Sequence, residues 1–441
     1  MDYDMNIEHS LTPKNVDLLL KPMNKHHNNN TTTTVAATTD KQCRSGDTRP
    51  RLLLMGCRRS GKTSINKVVF NKMSPHETLF IESNYNINYK VNVSSLLVDI
   101  ELLDFPGNYD ISESTNNKLI NSNTTKPPYS LNNNSNTNNT NILHSTSTNS
   151  NTNISSSQSS QQSLSNGISI EKLFSASQNC LIYVIDAQSD DEYNFTESID
   201  YFIQIMKIID RLPNKSSVQI HVLIHKVDGD SYISDEHKLE IQNDIKRSIF
   251  DELNDIQCTF RPSFYCTSIY DHSIYECFSK IIQQLIPNIS LYERLLDSLI
   301  VSCKIEKIFL FDIVTKIYVA TDSNPVDIYT YEICSDMIDV VLDVSSIYGN
   351  KDVVHDNTPP QSIENNINES NSSCIQLSND FVLYLREINQ YLAVVCLMRS
   401  DSYQKQGLLE YNFEQLKSAV ASLLDQKQKQ RDTLLAHQPT K

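Results

Sequence analysis

The octapeptide GCRRSGKT at residues 56–63 constrains this chain more than any other feature, because it fits the pattern G-x-x-x-x-G-K-[ST]. The run RLLLM before it is typical of a buried strand, and SINKVVFNKM after it is typical of a helix. Glycines let backbone N–H groups approach an anion, and a helix N-terminus favours negative charge. We expect Lys62 to reach the β- and γ-phosphates of a nucleotide and the Thr63 hydroxyl to bind Mg²⁺.

A second motif, Asp104-Phe105-Pro106-Gly107, follows the apolar run LLVDIELL and lies 41 residues after Thr63. On its own, a strand followed by D-x-P-G is an ordinary turn. After a phosphate loop, it predicts that Asp104 holds Mg²⁺ through water and that the Gly107 N–H contacts the γ-phosphate. The predicted phosphate-binding residues are Gly56, Arg58, Arg59, Ser60, Gly61, Lys62, Thr63, Ser64 and Gly107.

The tetrapeptide His225-Lys226-Val227-Asp228 follows the strand-like run VQIHVLI and is similar to N-K-x-D, which selects guanine. A carboxylate at Asp228 can accept hydrogen bonds from guanine N1–H and from its amino group, whereas adenine offers no such donor pair. We expect the Lys226 stem to lie along the base, and His225 to take the bridging place of Asn. Ser268 and Ile269 follow the run SFYC and are predicted to contact the base, with a plain strand end as the alternative.

Hydrolysis has weaker support, because Asn108 stands where Ras-like GTPases place the Gln that orients the attacking water. Asn is one methylene shorter, and a misplacement of about 1 Å can cost roughly 10²-fold in rate. Asn108 is therefore the predicted catalytic, water-positioning residue of a slow GTPase. The alternative is a pseudo-GTPase, an interaction subunit that binds nucleotide without turning it over. An ATP-using P-loop enzyme is a third possibility, which Asp228 disfavours.

Apolar runs and helix-like stretches alternate through the first half of the chain, which predicts a mostly parallel sheet with helices on both faces. The predicted strands are Arg51–Met55, Leu96–Leu103, Cys180–Ile185, Val218–His225 and Ser263–Thr267, and the helices are Lys62–Met73, Glu197–Arg211, Asp235–Ile256 and Ser273–Ile286. In the third helix Leu239, Ile245, Ile249 and Leu253 recur near the helical period.

The second half predicts an α/β domain with one antiparallel sheet, and contains no catalytic constellation. Its predicted helices are Leu291–Val301, Pro325–Val344 with Pro at the first helical position, and Gln415–Leu424; its predicted strands are Lys307–Ile313, Lys316–Ala320, Cys374–Leu377, Phe381–Glu387 and Tyr391–Leu397. We therefore expect a nucleotide-binding domain at 48–288 and an interaction domain at 289–425.

Polar tracts interrupt both halves and are predicted to be disordered. They are the N-terminal tail 1–47, an insertion at 112–166, a loop at 350–373 and a C-terminal tail 426–441. Of the 55 residues in the insertion, 38 are Ser, Asn or Thr. Such a composition cannot bury enough apolar surface to offset the entropy of ordering, and a fold tolerates long loops because closure entropy grows slowly with length.

Charge and cysteine use exclude several function classes. The net charge of −15 argues against non-specific nucleic-acid binding, which needs Lys and Arg against phosphates. The ten cysteines form no C-x-x-C pair, so a zinc knuckle or ribbon is not expected. No secretory signal, prenylation box or myristoylation signal is present, and apolar runs such as Tyr391–Met398 fall short of the roughly 18 residues that span a bilayer. A cytoplasmic protein without direct membrane insertion is expected.

Beyond these motifs, the chain resembles a Rag GTPase of the C/D type (the Gtr/Rag family) over roughly 50–110, 170–348 and 374–425. The stretches that carry the resemblance include the phosphate loop with its flanks at 51–83, LIYVIDAQ at 181–188, HKVDG at 225–229, the segment at 263–287, IEKIFLFD, KIYVATDSNPVDIYTYE, MIDVVLDVSSIYG and GLLEYNF. The resemblance implies a P-loop Ras-like domain followed by a roadblock/longin-type dimerisation domain.

The same resemblance implies GTP/GDP and Mg²⁺ as cofactors and a heterodimer with an A/B-type Rag GTPase through the C-terminal domain. It further implies a lysosomal scaffold complex, the target-of-rapamycin kinase complex and a GTPase-activating protein as partners, in signalling of amino-acid sufficiency. Relatives carry Gln where this chain has Asn108. They also tend to carry Ser-Thr where it has Ser83-Asn84, so Asn84 or Thr78 is expected to serve Mg²⁺, unless that role is absent.

Overall fold

The structure of the 441-residue chain is a computed structural model. The structure describes residues 49–82, 87–91, 97, 99–109, 173–174, 178–188, 192–213, 215–232, 234–348 and 372–436. The predicted tail 1–47, the insertion 112–166 and nearly all of the loop 350–373 lie outside the described residues, as does Asn84.

The first half forms one six-stranded sheet with helices between its strands. Its strands are β1 (Arg51–Gly56), β2 (Asn88–Val91), β3 (Glu101–Asp104), β4 (Asn179–Asp186), β5 (Val218–His225) and β6 (Ser263–Thr267). Its helices are α1 (Lys62–Asn71), α2 (Glu192–Ile209), α3 (Asp235–Asp255) and α4 (Ser273–Gln283), with a 3₁₀ turn at Pro75–Phe80.

The strand order is β2-β3-β1-β4-β5-β6, and every neighbouring pair is parallel except β2 with β3. The predicted mostly parallel sheet is therefore confirmed. The edge strand β2 is absent from the sequence prediction because its residues, NYKV, form no apolar run. In a parallel sheet the carboxyl ends of the strands meet at one edge, and every predicted motif follows such an end.

The second half forms a separate, five-stranded antiparallel sheet in the order β8-β7-β11-β10-β9, which confirms the predicted architecture. Its strands are β7 (Ile305–Asp312), β8 (Tyr318–Thr321), β9 (Ser372–Gln376), β10 (Phe381–Glu387) and β11 (Leu392–Arg399). Its helices are α5 (Ile289–Cys303), α6 (Ile328–Tyr348), α7 (Ser400–Tyr403) and α8 (Gln406–Ala436).

Several sequence-based details are wrong; the strand predicted at Leu96–Leu103, for example, is observed as Glu101–Asp104. Helix α6 begins at Ile328 and not at Pro325, because the Asp327 carboxylate accepts the Thr330 N–H at 3.0 Å and caps the helix there. Leu239 is 57% exposed, although Ile245, Ile249 and Leu253 bury the face of α3 as predicted. Helix α8 runs far beyond 415–424 to Ala436, so the predicted tail 426–441 begins as helix.

The two sheets share one continuous hydrophobic core. Its members run from Leu52 and Leu102 of the first sheet through α4 and α5 to Leu310 and Val394 of the second, and end at Leu423 of α8. A polar contact crosses the same boundary, since the Tyr318 N–H donates to the Ser279 hydroxyl at 3.1 Å. Helices α4 and α5 thus belong to a core that contains residues of both the parallel and the antiparallel sheet.

Within the part of the chain that the structure describes, no helix combines the length and the apolar character needed to cross a bilayer.

Candidate functional site

A cavity of about 430 Å³ lies at the carboxyl edge of the parallel strands and gathers most of the predicted site residues. Those that line it are Arg58, Arg59, Gly61, Lys62, Thr63, Ser64, Asp104, Gly107, His225, Lys226, Asp228 and Ile269. Gly56, Ser60, Asn108 and Ser268 are not among its lining residues. Its volume falls within the range of about 300–1,000 Å³ that small-molecule sites occupy.

The ammonium of Lys62 is buried against the loop that carries it. It donates to the Cys57 carbonyl at 2.6 Å, to the Gly56 carbonyl at 3.0 Å and to the Ser60 hydroxyl at 3.3 Å. Burial lowers the pKa of Lys62 to about 8, although the nearby Asp104 carboxylate acts to raise it. Lys62 therefore stays mostly protonated at neutral pH and presents a partly desolvated cation to the cavity, where an anion would be strongly attracted.

Thr63 and Asp104 meet at the same end of the cavity. The Thr63 hydroxyl donates to Asp104 Oδ2 at 2.9 Å, and Asp104 is buried at the end of β3. No cluster of three or more His, Cys, Asp or Glu among the described residues offers a metal site. Mg²⁺ needs no such cluster, because it is usually held by one or two protein oxygens together with phosphates and waters. This adjacent pair of oxygen ligands fits it.

Thr78 is a further oxygen donor at the cavity that lies outside the three motifs. It sits in the 3₁₀ turn Pro75–Phe80 and lines the cavity, and its hydroxyl donates to the Pro75 carbonyl at 2.7 Å. Asn84 lies outside the described residues, so Thr78 is the predicted alternative whose position the structure describes, and its role toward Mg²⁺ stays a prediction.

The opposite end of the cavity is built around the Asp228 carboxylate. The Ser268 hydroxyl donates to Asp228 Oδ1 at 2.8 Å and itself accepts the Tyr270 N–H at 3.1 Å. Ser268 is fully buried, so the structure places it behind Asp228 as a positioning residue. The second Asp228 oxygen belongs to an exposed side chain on the cavity wall, and Ile269 and Tyr270 supply apolar surface beside it.

Lys226 connects three segments around the cavity. Its ammonium donates to Asp186 Oδ2 at 2.5 Å and to the Arg59 carbonyl at 2.8 Å, while its own carbonyl accepts from Gln188 Nε2 at 2.8 Å. Asp186 and Gln188 are not among the site residues predicted from the sequence. Their position directly at and after the end of a parallel strand, in LIYVIDAQ, is the signal that could have found them.

His225 packs directly on the phosphate loop. Gly61 has φ +100°, and a Cβ there would lie 2.5 Å from the His225 ring, so only glycine allows this approach. His225 Nδ1 is also 3.0 Å from the Thr267 hydroxyl. Burial, and secondarily the Lys226 cation, lower the pKa of His225 to about 4, so the ring is neutral at pH 7. His225 thus bridges the loop to β6, as Asn was expected to do in this motif.

The D-x-P-G turn packs against the phosphate loop at Gly107. A Cβ on Gly107 would lie 2.4 Å from Arg58 Cγ and 2.5 Å from Arg58 Cα. The next residue, Asn108, directs its amide away from the cavity and donates to Glu197 Oε1 of α2 at 2.8 Å. In this conformation the Asn108 amide is engaged by Glu197, and its water-positioning role stays a prediction.

Comparison with known proteins gives consistent matches along the chain. Residues 51–125 and 131–338 match the family described as "Gtr1/RagA G protein conserved region". GTP-binding protein gtr2 of Schizosaccharomyces pombe is 39% identical over 378 residues, which cover 85% of this chain and 98% of that protein. Ras-related GTP-binding protein C of Homo sapiens is 39% identical over 381 residues, which cover 86% of this chain and 77% of that protein.

Among solved structures, Myxococcus xanthus MglB matches 32% of this chain and 92% of its own, with 9% identity and a TM-score of 0.24. A similarity of that size carries no functional conclusion.

The buried neutral His225 predicts a pH dependence of stability. An unfolded histidine binds a proton near pH 6.5, whereas folded His225 does so only near pH 4. The free energy of unfolding should therefore fall as the pH drops through this window, by on the order of 1–2 kcal/mol from pH 7 to pH 5 for this group. We expect His225→Asn to remove that share of the loss. Urea unfolding followed by far-UV circular dichroism measures it, since the chain has no Trp.

The matched control is His237→Asn, an exposed position on α3, which should keep the pH dependence of the unaltered chain. An identical loss of stability in the His225→Asn variant and in the unaltered chain would contradict the assignment of a buried neutral ring.

Proposed function

The chain belongs to the Gtr1/RagA G protein family, and on that premise we propose that it is the guanine-nucleotide-binding switch subunit of a Rag-type heterodimer. The observation that carries this proposal is the cavity itself. Phosphate-binding groups at one end and the Asp228 carboxylate at the other line the same space of about 430 Å³. A guanine nucleotide has its triphosphate and its N1–H and amino donors at opposite ends in the same way.

GTP and GDP would be bound by complementary charge and hydrogen bonds. The Lys62 ammonium, which here donates to the carbonyls of residues 56 and 57, would also donate hydrogen bonds to phosphate oxygens. The N-terminus of α1 adds a helix dipole that favours the negatively charged phosphates. Mg²⁺ would be held by Thr63 and, through water, by Asp104, and would neutralise charge that develops on the phosphates. Because Ser268 fixes the Asp228 carboxylate, guanine meets an acceptor that is already oriented.

Hydrolysis is proposed to be slow without a GTPase-activating partner. Asn108 is shorter than Gln and donates to Glu197 rather than to the cavity, so the attacking water lacks a positioned amide. The same contact supports the alternative, a pseudo-GTPase that binds nucleotide and does not turn it over.

The biological setting is proposed from the family. We place the protein in the cytoplasm, recruited to the lysosomal surface through a scaffold complex, where the heterodimer reports amino-acid sufficiency to the target-of-rapamycin kinase complex. The second domain supports an interaction role, because α6 exposes Tyr329 and Ile347, each by 66%, together with Val340 and Val344. Strand β9 pairs only with β10 among the described strands, so its other edge is unpaired within the described residues, as a strand that accepts a partner would be.

Guanine selection is tested by Asp228→Asn. The amide cannot accept both hydrogen bonds from guanine, so we expect GTP and GDP affinity to fall by about 10²–10⁴-fold, while affinity for xanthine nucleotides rises. Equilibrium competition against a labelled nucleotide measures both. Asp230→Asn, an exposed neighbour, is the matched control and should leave both affinities unchanged. Unaltered GTP affinity in Asp228→Asn would rule out the guanine assignment.

Turnover is tested on the full chain co-expressed with an A/B-type partner, by adding GTP, denaturing the complex and separating the nucleotides by chromatography. We expect GDP to form slowly, and Asn108→Gln to raise the rate by up to about 100-fold because the longer amide reaches further. Asn108→Ala is the control that lacks any amide. If GTP remains GTP in all three proteins, the binding-only alternative replaces the enzymatic one.

The heterodimer is tested by charge substitution on the exposed face of α6. Val340→Glu with Val344→Glu should weaken association with an A/B-type partner by at least about tenfold, because two carboxylates would be desolvated in an apolar contact. Size-exclusion chromatography with light scattering measures it. Val301→Glu, at an exposed position on α5, is the control. A full-length chain that remains monomeric beside the partner argues against the dimer.

A further inference from the structure

Two segments that are distant in the sequence line the nucleotide cavity and touch one another at its rim. One is the 3₁₀ turn Pro75–Phe80 with the residues after it, which contributes Thr78, Leu79, Ile81 and Glu82 to the lining. The other is the loop after β6, which contributes Ile269 and Tyr270 beside the Asp228 carboxylate. Access to the base end of the cavity therefore depends on how these two segments are held together.

The two segments touch through a pair of aromatic rings. The ring centroids of His76 and Tyr270 are 5.5 Å apart, and the ring planes are inclined by 53°. This separation falls within the range of about 4.5–7 Å over which aromatic rings attract one another. Tyr270 lines the cavity and is still 45% exposed, so the contact lies at the rim. His76 is exposed and does not line the cavity itself.

Hydrogen bonds order the backbone on both sides of this contact. The Tyr270 N–H donates to the Ser268 hydroxyl at 3.1 Å, and the same hydroxyl donates to Asp228 Oδ1 at 2.8 Å. In the 3₁₀ turn, the Thr78 hydroxyl donates to the Pro75 carbonyl at 2.7 Å. The ring contact thus connects an ordered turn to the residues that hold the Asp228 carboxylate.

The other side chains of the 3₁₀ turn provide little attachment to the rest of the domain. Leu79 and Phe80 are 71% and 85% exposed, so neither anchors the turn. The hydrogen bond of the Thr78 hydroxyl stays within the turn. Within the described residues, no hydrogen bond or ion pair joins a side chain of the turn to another segment. The contact of His76 with Tyr270 is therefore the specific side-chain interaction that ties the turn to the base end of the cavity.

We propose that His76 is a positioning residue that acts through Tyr270, and that the pair closes the rim of the cavity and slows the release of bound guanine nucleotide. A nucleotide that leaves past this rim must displace Tyr270, and the displacement breaks the ring contact. Because the contact is absent from the open state, it adds to the barrier to dissociation. The inference rests on the proposed guanine-nucleotide site and adds a determinant of how long that site stays occupied.

The test measures dissociation of tritium-labelled GDP from the full-length chain in Mg²⁺ after addition of excess unlabelled GDP. We expect His76→Ala to raise the dissociation rate constant about three- to tenfold, the share that one aromatic contact supplies. His76→Phe keeps a ring against Tyr270 and should stay within about twofold of the unaltered chain. His237→Ala, which removes an exposed histidine of α3, is the matched control and should not change the rate.

A double-substitution cycle separates this positioning role from a general loosening of the fold. Tyr270→Ala should also raise the dissociation rate, and adding His76→Ala to it should raise the rate no further, because His76 acts through the Tyr270 ring. Tyr411→Ala, at a 44% exposed tyrosine of α8, is the matched control for Tyr270→Ala. All these variants should unfold thermally with the unaltered chain, since the substituted side chains are exposed.

Several results would overturn the inference: unchanged GDP release in His76→Ala, equally fast release in His76→Phe, additive effects of the two alanine substitutions, or a lower unfolding temperature in His76→Ala. A chain that binds no labelled GDP would overturn the proposed function and this inference with it. GDP binding by the unaltered chain with unchanged release in His76→Ala would overturn this inference alone.

Discussion

The buried ammonium of Lys62 is the constraint on which the nucleotide site depends. It donates hydrogen bonds to the carbonyls of Gly56 and Cys57 and to the Ser60 hydroxyl, and these bonds fix the conformation of the loop. A desolvated cation is costly unless it is hydrogen-bonded, and here the loop backbone supplies the acceptors. The loop is thereby held in a conformation that keeps a positive charge at the cavity before any anion arrives.

Two glycines allow the other motifs to pack closely against the phosphate loop. Gly61 lets the His225 ring contact the loop, and Gly107 lets the D-x-P-G turn contact Arg58. Motifs far apart in the chain thus touch one another through positions where a side chain would collide. Lys226 adds a further connection, because its ammonium donates hydrogen bonds to Asp186 and to the Arg59 carbonyl. The base-binding and phosphate-binding ends are consequently connected by direct contacts. We expect a substitution at one end to alter the geometry of the other.

The two edges of the parallel sheet have different chemistry. The carboxyl edge gathers the charged groups of the nucleotide site, and most of these already have partners. The opposite edge has a buried histidine, His221, whose ring nitrogens lack a partner, and an exposed arginine, Arg261, without a carboxylate, as far as the described residues extend. Helices α4 and α5 contribute side chains to the one hydrophobic core that also contains residues of both sheets.

Much of this protein follows from its sequence alone. The phosphate loop, D-x-P-G and HKVD each follow an apolar run, and parallel strands necessarily bring such positions together, so fold class and site could be predicted from local pattern. The edge strand β2 was not predicted because NYKV forms no apolar run, and the length of α8 was not predicted because DQKQKQRD, at 425–432, has no apolar periodicity. Only the tertiary structure placed Ser268 behind Asp228, turned Asn108 toward Glu197 and brought Asp186 to Lys226. Side-chain direction depends on neighbours that are distant in sequence, and no local pattern encodes them.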